Sequence, residues 1–438
     1  MGRPKDRLRG LFLLAITLIT ILSAGAYYLS QALTAKSDVF YLHYLGYRLF
    51  EPDRAEKALK ESVSNAAGQE EELRRRELSS ANYPLSSIGH YLGTVSFPGN
   101  LTLAVAVGLF APFLAGVCIF ALGCFRVPDM CPPAALAVAV MAMTGFLPGP
   151  GATDHLLFHD GLEKLLNLVV LVVSPGEAFS PLSIWPKSSV ALIVLATMCC
   201  RWNGYLGTGY VLTLASMLFH LTLGGLLLLS FTVIDRVFRP ERIPVAWSAL
   251  AASASIAALA FGQWRIILHG DFVLPVILVG ILLLSAVLLL RYVDIGHRAA
   301  SIMHLDIALF VFAASVMTAT GMLLLATSGA ETILSSPVSI FGQLAARLIV
   351  LSTTVLLLAM ALHATQWLKK RHADAAVPAV ALFACLLAIY GACGSWWWES
   401  RFIPARLHEI HERAQTEPLT AVYYQALLRL GATSGTAR

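Results

Sequence analysis

The sequence predicts an all-α protein, a polytopic transmembrane helical bundle with about 11 spans, each long enough or nearly long enough to cross a bilayer. Of its 438 residues, 57% are hydrophobic and 13% are charged, whereas about a quarter of a soluble domain is charged. The mean hydropathy is +0.72. Several apolar runs exceed the roughly 18 residues that a transmembrane helix needs. These observations exclude an ordinary soluble enzyme.

Apolar runs bounded by glycine, proline and charged residues define the spans. The first run follows Arg3, Lys5, Arg7 and Arg9 and continues to Leu33, so we interpret it as an uncleaved span and not as a secretory signal. No linker divides the chain, and residues 1–438 are expected to form a single membrane domain. The spans are predicted near residues 11–33, 101–124, 133–148, 163–175, 188–200, 205–234, 244–262, 271–290, 304–328, 338–364 and 375–396.

The short loops predict the orientation. Lysine and arginine collect on one side of the bundle, and the short loops 148–162 and 329–337 on the other side have neither. Because basic loops stay in the cytoplasm, the N-terminus is expected to be cytoplasmic and the tail 397–438 external. The formal charge of +5 is therefore a topology signal, and no nucleic-acid partner is expected. The basic loops lie at Arg126, 236–242, 291–298 and 369–371.

The middle of the chain allows two arrangements. The runs 163–175 and 188–200 are too short to cross perpendicularly to the membrane. Either both cross with help from neighbouring helices, or 163–175 lies along the outer surface and 205–234 breaks near His220 into two short spans. In the second arrangement His220 faces outward, and broken helices at membrane depth usually line a cavity.

The segment 34–100 is predicted to be an external loop that contains amphipathic surface helices. It carries eight lysines and arginines and nine aspartates and glutamates, so it is not a patch for anionic lipids. Two amphipathic helices are expected in the C-terminal tail as well, and all of them are expected to lie on the outer leaflet. The four predicted surface helices are Tyr47–Ser64, Gln69–Ser79, Pro404–Ala414 and Thr420–Leu430.

Two charged residues are candidates for chemistry. Asp38 follows the first span by about five residues at the membrane edge, where partial desolvation raises the proton affinity of a carboxylate and suits it to act as a general base. An ordinary interfacial aspartate would occupy the same position. Arg347 lies inside an apolar run, where it would hold a phosphate bidentately or pair with another helix.

A third candidate is a polar segment between predicted spans. His155 and His159 are four residues apart, and His155 follows Asp154 directly. On one helical turn these three residues would hold a divalent metal ion. The segment lacks the glutamate of the HExxH motif, and a solvated loop has the same composition. A divalent metal ion is thus the one cofactor that the sequence suggests.

The stretch FSPLSIWPK from Phe179 to Lys187, the RWNG at Arg201–Gly204, the pair Phe219-His220 and the tail sequence RLHEIHERAQTEPLTAVYY are similar to segments of known membrane enzymes. With one span, an external loop that begins near Asp38 and many later spans, the layout resembles the GT-C superfamily of membrane glycosyltransferases. The paired acidic motif that many members carry in the first loop is absent. The family's FHP also appears here as FHL.

The resemblance implies transfer of a sugar from a polyprenyl-phosphate-linked donor to a glycan, lipid or protein acceptor on the external face of a bacterial inner membrane. Asp38 would be the catalytic base, and Arg347, Lys187 and His220 would bind the substrate or its phosphate. The bilayer and the lipid-linked donor would be its partners. Two alternatives stay open: a secondary transporter or flippase, and a non-enzymatic subunit of an envelope complex.

Overall fold

The prediction of an all-α fold is confirmed wherever the structure describes the chain. The computed structural model describes residues 10–22, 38–63, 84–97, 101–146, 187–239, 241, 244–268, 301–327, 337–371, 378–386 and 418–430. Nearly all of these residues are helical, and they include no strand. The helices are α1 Gly10–Leu22, α2 Asp38–Phe50, α3 Pro52–Val63, α4 Pro84–Ser96, α5 Leu101–Arg126, α6 Cys131–Phe146, α7 Lys187–Trp202, α8 Leu206–Phe219, α9 Leu221–Phe238, α10 Val245–Leu268, α11 Ile302–Thr327, α12 Pro337–Arg371, α13 378–386 and α14 Pro418–Arg429.

Three described helices contain segments that are long and apolar enough to cross a membrane: Ala106–Arg126 in α5, Leu221–Phe238, which is all of α9, and Leu351–Arg371 in α12. Helices α1, α6, α7, α8, α10 and α11 contribute shorter apolar segments. The predicted spans 163–175 and 271–290 lie outside the described residues.

Helix α7 is the centre of the apolar bundle. Every side chain from Ser189 to Arg201 is buried, which is expected of a helix that is apolar on all sides. It packs closely on α5 at Gly116. A Cβ atom at that position would lie only 2.8 Å from the Cβ of Ser189. The buried cysteines at 124, 131, 199 and 200 belong to the same core, as expected of small packing residues.

The predicted run 205–234 is divided at His220 into α8 and α9, as one of the two arrangements required. The backbone at His220 is extended (φ −152°, ψ 102°), and the amide of Leu223 donates to its Nδ1 at 3.4 Å. Glycine at 224 allows the two helices to approach, because a Cβ there would overlap the backbone of Met217. Helix α8 has 14 residues, about 21 Å at 1.5 Å per residue.

Helices α2, α3 and α14 form a second, smaller layer with its own apolar core. Tyr44 of α2 packs against Tyr423 of α14, with their ring centroids 5.4 Å apart. Arg54 donates to the carbonyl of Leu430 at 3.0 Å, and Arg429 pairs with Glu61 at 2.9 Å. We call α2, α3 and α14 the polar layer. It joins the segment after the first predicted span to the C-terminal tail.

One surface-helix prediction is wrong, and one helix was missed. The single helix predicted at Tyr47–Ser64 is two helices, because the proline at 52 has no amide hydrogen and begins α3 at the position where helices tolerate it. Helix α4 was not predicted at all. The tail helix predicted at Thr420–Leu430 is confirmed as α14, whereas Gln69–Ser79 and Pro404–Ala414 lie outside the described residues.

Candidate functional site

The sequence-predicted site residues belong to different elements. Asp38 is the first residue of α2, Lys187 is the first residue of α7, and Arg347 lies in the N-terminal third of α12. Their side chains lie outside what the structure describes, so their roles stay predictions. The metal candidates Asp154, His155 and His159 also lie outside the described residues.

The side chain of His220 is described and fully buried at the break between α8 and α9. Because its Nδ1 accepts the Leu223 amide, the ring serves as the N-cap of α9. The need to cap α9 is a structural reason for a histidine at this position. The role in binding a phosphate that the resemblance implies stays a prediction.

The structure reveals a charged cluster that the sequence did not predict. Arg201 donates to both oxygens of Asp235, at 2.9 Å and 2.9 Å, and to both oxygens of Asp306, at 3.1 Å and 3.1 Å. All three side chains have no exposed surface. Tyr210 donates its hydroxyl to Asp235 at 2.9 Å, and the ring of Phe231 lies 4.0 Å from the guanidinium carbon. We call Arg201, Asp235, Asp306 and Tyr210 the buried charge cluster.

Four helices bring this cluster together. Arg201 comes from the last turn of α7, Asp235 from the last turn of α9, and Asp306 from the second turn of α11. Tyr210 comes from the beginning of α8, which runs back along α7. Glycine at 209 makes room for the arginine stem, because a Cβ there would lie 2.7 Å from the Arg201 Cγ. The cluster thus marks one end of the bundle.

The chemistry of the buried charge cluster is that of a satisfied ion network. One guanidinium faces two carboxylates, which gives a formal charge of −1, and every carboxylate oxygen accepts at least one hydrogen bond. Bidentate pairing on two edges uses the fork geometry of arginine, which lysine lacks. Such a cluster either fixes the helices or holds a proton during transport.

Two features of the sequence bear on this cluster, although neither predicted it. Arg201 belongs to the RWNG segment that carries part of the resemblance, and Asp306 interrupts an otherwise apolar run. An aspartate in such a run usually has a partner within the bundle. The sequence contains no sign of which partner, because Arg201 is 34 residues from Asp235 and 105 residues from Asp306.

A groove of about 820 Å³ opens beside the buried charge cluster, between α8, α9 and α10. It is lined almost entirely by apolar side chains, with three hydroxyl-bearing residues among them. Tyr210 belongs both to the groove wall and to the cluster. The main apolar lining residues are Val211, Leu214, Leu228, Trp247, Leu250 and Ala254.

A second buried polar group lies at the contact of α2 with α4. Nε2 of His43 lies 2.8 Å from Oγ1 of Thr94, and the Nδ1 atoms of His43 and His90 are 3.5 Å apart. Burial lowers the pKa of His43 to about 4. Burial, and secondarily the nearby His43, place the pKa of His90 well below its usual range. Both rings are therefore neutral at neutral pH.

Among the described residues, no group of three or more histidine, cysteine, aspartate or glutamate side chains is arranged to hold a metal ion. Comparison of the chain with family models, curated proteins and solved structures gives no match.

Proposed function

We propose that this chain is a membrane glycosyltransferase that moves a sugar from a polyprenyl-phosphate-linked donor to an acceptor at the external face of the membrane. The observation that carries the proposal is the polar layer. The segment after the first predicted span folds into helices with a core shared with the tail, and Asp38 begins the first of these helices. A carrier needs no such layer, whereas a transferase needs a place for a polar acceptor beside the bilayer.

The polar layer also supports the proposed topology. Because α2 and α3 pack against α14, the loop and the tail lie on the same side of the bundle. An even number of crossings must then separate them. Ten crossings separate the loop from the tail in the arrangement in which α8 and α9 each cross and 163–175 lies along the surface, and with the first span they give about 11. We infer from the basic loops that this side is external.

In the proposed mechanism Asp38 accepts the proton of the acceptor hydroxyl. The acceptor oxygen attacks the anomeric carbon as the bond from that carbon to the donor phosphate oxygen breaks, and the polyprenyl phosphate leaves. This single displacement inverts the anomeric centre. Lys187 and Arg347 would balance the charge that develops on the departing phosphate. A divalent metal at Asp154, His155 and His159 would supply the same kind of stabilisation.

The test is a mass-spectrometric profile of polyprenyl-linked sugars and envelope glycans. We expect cells with a gene deletion, or with Asp38→Asn, to accumulate one lipid-linked sugar and to lack that sugar in one glycan. Asp53→Asn is the matched control, because Asp53 is an exposed residue in the first turn of α3. A normal profile in the Asp38→Asn cells, with the protein present at its usual level, would remove the proposed base.

The buried charge cluster favours a second candidate function, a secondary transporter. Ionisable residues packed between apolar helices often form proton or ion relays in carriers. A carrier would move labelled substrate across proteoliposomes in response to a proton gradient, and Asp306→Asn would abolish the movement. Sugar transfer with no gradient-driven movement would decide in favour of the transferase.

A further inference from the structure

The apolar side of α3 faces the rest of the polar layer. Ala55, Ala58 and Leu59 are buried in the core that α2, α3 and α14 share. The opposite side of α3 is charged, and its exposed side chains include Asp53, Arg54, Glu56, Lys57, Lys60 and Glu61. An amphipathic helix that lies on a bilayer turns its apolar side to the lipid. The apolar side of α3 is already used within the protein, so a contact of the polar layer with lipid needs a different surface.

Such a surface lies where the end of α2 meets α4. Leu49 of α2 is 55% exposed, and Leu92 and Val95 of α4 are 53% and 58% exposed. The ring of Phe50 stacks on that of Tyr91 at 4.0 Å, which joins the two helices into one surface. Helix α4 contains no aspartate, glutamate, lysine or arginine. We call this surface the apolar edge, and its exposed side chains are Leu49, Phe50, Leu92, Val95 and Phe97. A contiguous exposed apolar surface usually has a partner.

The contacts of α4 with α5 place the apolar edge relative to the membrane. The described segment of α5 that is long and apolar enough to cross begins at Ala106. A Cβ atom at Gly89 of α4 would lie 2.8 Å from the Gly108 carbonyl, inside this segment. A Cβ atom at Gly93 would overlap the Ala104 carbonyl, two residues before the segment. The turn of α4 between the two glycines, which carries part of the apolar edge, is therefore level with the end of α5 that enters the membrane.

Helix α5 continues this apolar surface along the membrane. Its exposed side chains recur at helical spacing, as in a span that faces lipid, and they include Ala111, Leu114, Cys118, Leu122 and Phe125. The apolar edge stands beside the beginning of this stripe. Tyr91, which stacks on Phe50 there, combines an apolar ring with a hydroxyl, as the aromatic side chains at membrane surfaces do.

We propose that the apolar edge inserts into the lipid leaflet on the side of the polar layer, with the acyl chains of the bilayer as its partner. The polar layer then rests on the membrane through the end of α2 and through α4, while the charged side of α3 stays in water. The proposal requires that α5 crosses the membrane. It does not depend on sugar transfer and applies equally to a carrier.

The test uses the full-length protein in phosphatidylcholine vesicles. A nitroxide is attached to a single p-acetylphenylalanine at position 50 or 92, so that the native cysteines are kept. Paramagnetic resonance measures how often the nitroxide collides with oxygen, which collects in lipid, and with a water-soluble nickel chelate on both sides of the membrane. We expect the nickel collision rate at both positions to be lower than at position 57 by on the order of fivefold or more, and the oxygen rate to be similar to that at position 114.

Positions 57 and 114 are the references, because Lys57 is exposed on the charged side of α3 and Leu114 belongs to the exposed stripe of α5. A matched pair of variants then tests the insertion directly. Leu92→Glu should raise the nickel collision rate of a nitroxide at position 50, because a carboxylate is costly in the apolar part of a leaflet. Gln425→Glu adds the same charge at an exposed position of α14 and should leave that rate unchanged.

Three results would overturn the proposal. Nickel collision rates at positions 50 and 92 that equal the rate at position 57 would place the apolar edge in water. Low collision rates with both reagents would mean that protein covers it, either a second copy of the chain or another partner. The third result is an equal effect of Leu92→Glu and Gln425→Glu. Melting temperatures identify any variant that fails to fold, and the comparison of positions 50, 57, 92 and 114 needs neither glutamate variant.

Discussion

His43 shows how a buried polar residue is satisfied by two neighbours. Thr94 donates its hydroxyl to the His90 carbonyl at 3.0 Å, so its oxygen is left to accept from Nε2–H of His43. Nδ1 of His43 is then an acceptor, and Nδ1–H of His90 is the donor that faces it at 3.5 Å. This assignment requires both rings to be neutral. Protonating His43 would direct two N–H groups at each other.

The pair therefore makes the stability of the protein depend on pH. The pKa of His43 is about 4 in the folded protein against 6.5 for a free side chain, so between these values the unfolded chain binds a proton that the folded one does not. We expect the free energy of unfolding to fall as the pH is lowered from about 6.5 to 4, by about 3 kcal/mol from this residue. Melting temperatures at pH 7.5, 6 and 5 measure the effect.

The matched variants for this experiment are His43→Gln and His304→Gln. His304 is exposed at the beginning of α11, so its loss should leave the pH dependence of the melting temperature unchanged. His43→Gln should make the dependence shallower without abolishing it, because His90 still contributes in the same direction. The same dependence in the wild type and in His43→Gln would contradict the assignment.

At the scale of helices, the buried charge cluster is the point where α7, α9 and α11 are joined. Apolar packing alone tolerates rotation and sliding between helices, but bidentate hydrogen bonds fix both. The bidentate pairing also explains how α7 can carry an arginine in its last turn while every side chain from Ser189 to Arg201 is buried. The cluster therefore fixes the relative positions of three helices that are far apart in the sequence.

Removing the arginine should leave two buried carboxylates facing each other. We expect Arg201→Gln to cost about 3–5 kcal/mol of stability, as is typical when one partner of a buried pair is lost. The melting temperature in detergent measures the loss. Arg126→Gln is the control, because Arg126 is exposed at the end of α5 and does not belong to the buried charge cluster.

Arg201→Lys refines the test. Lysine keeps the positive charge but cannot bind two carboxylates bidentately, so its loss of stability should lie between those of the wild type and Arg201→Gln. If Arg201→Gln melts at the same temperature as Arg126→Gln, the cluster does not hold the bundle together.

The helices show what could be predicted from the sequence and what could not. Apolar runs placed α5, α7, α11 and α12 within a few residues at most ends, because membrane-length hydrophobic runs are a strong local signal. Helix α4 was missed because it buries small and polar residues such as Ser86, Ser87 and Thr94. Its helicity depends on close packing against α5, where a side chain at Gly93 would overlap the Ala104 carbonyl. Long-range packing of this kind leaves no periodic apolar pattern.

The candidate sites were less predictable than the helices. The sequence identified Asp38, Lys187, His220 and Arg347 one at a time, through their positions and a resemblance. It did not reveal the buried charge cluster, because pairing over 105 residues depends on how α7 and α11 meet. The groove was equally invisible, since every residue in its wall is ordinary for an apolar helix.

At the scale of the whole molecule, the polar layer makes the tail part of the structure of the first loop. The core of the layer is formed by residues from both ends of the chain. Ala426 has no exposed surface there, although its neighbour Gln425 is exposed. A charge at position 426 would have to be buried, whereas a charge at position 425 would stay in water.

We expect Ala426→Glu to separate α14 from α2 and α3, because an unpaired buried carboxylate is very costly. Hydrogen exchange of the α3 amides should become faster by on the order of tenfold or more, since α3 loses the surface that protects it. Gln425→Glu should leave exchange unchanged. Unchanged exchange in both variants would mean that α3 is stable without the tail.

The hydrogen bond from Arg54 to the Leu430 carbonyl spans 376 residues, and this separation has a consequence for biosynthesis. At roughly 5–20 residues per second, the ribosome needs roughly 20–75 seconds to advance from one of these residues to the other. During that interval α2 and α3 exist without α14, with the side chains of Tyr44 and Ala55 uncovered. Helices α2 and α3 are therefore made early but gain their partner late, and a nascent chain that still lacks α14 would expose the face that α14 covers.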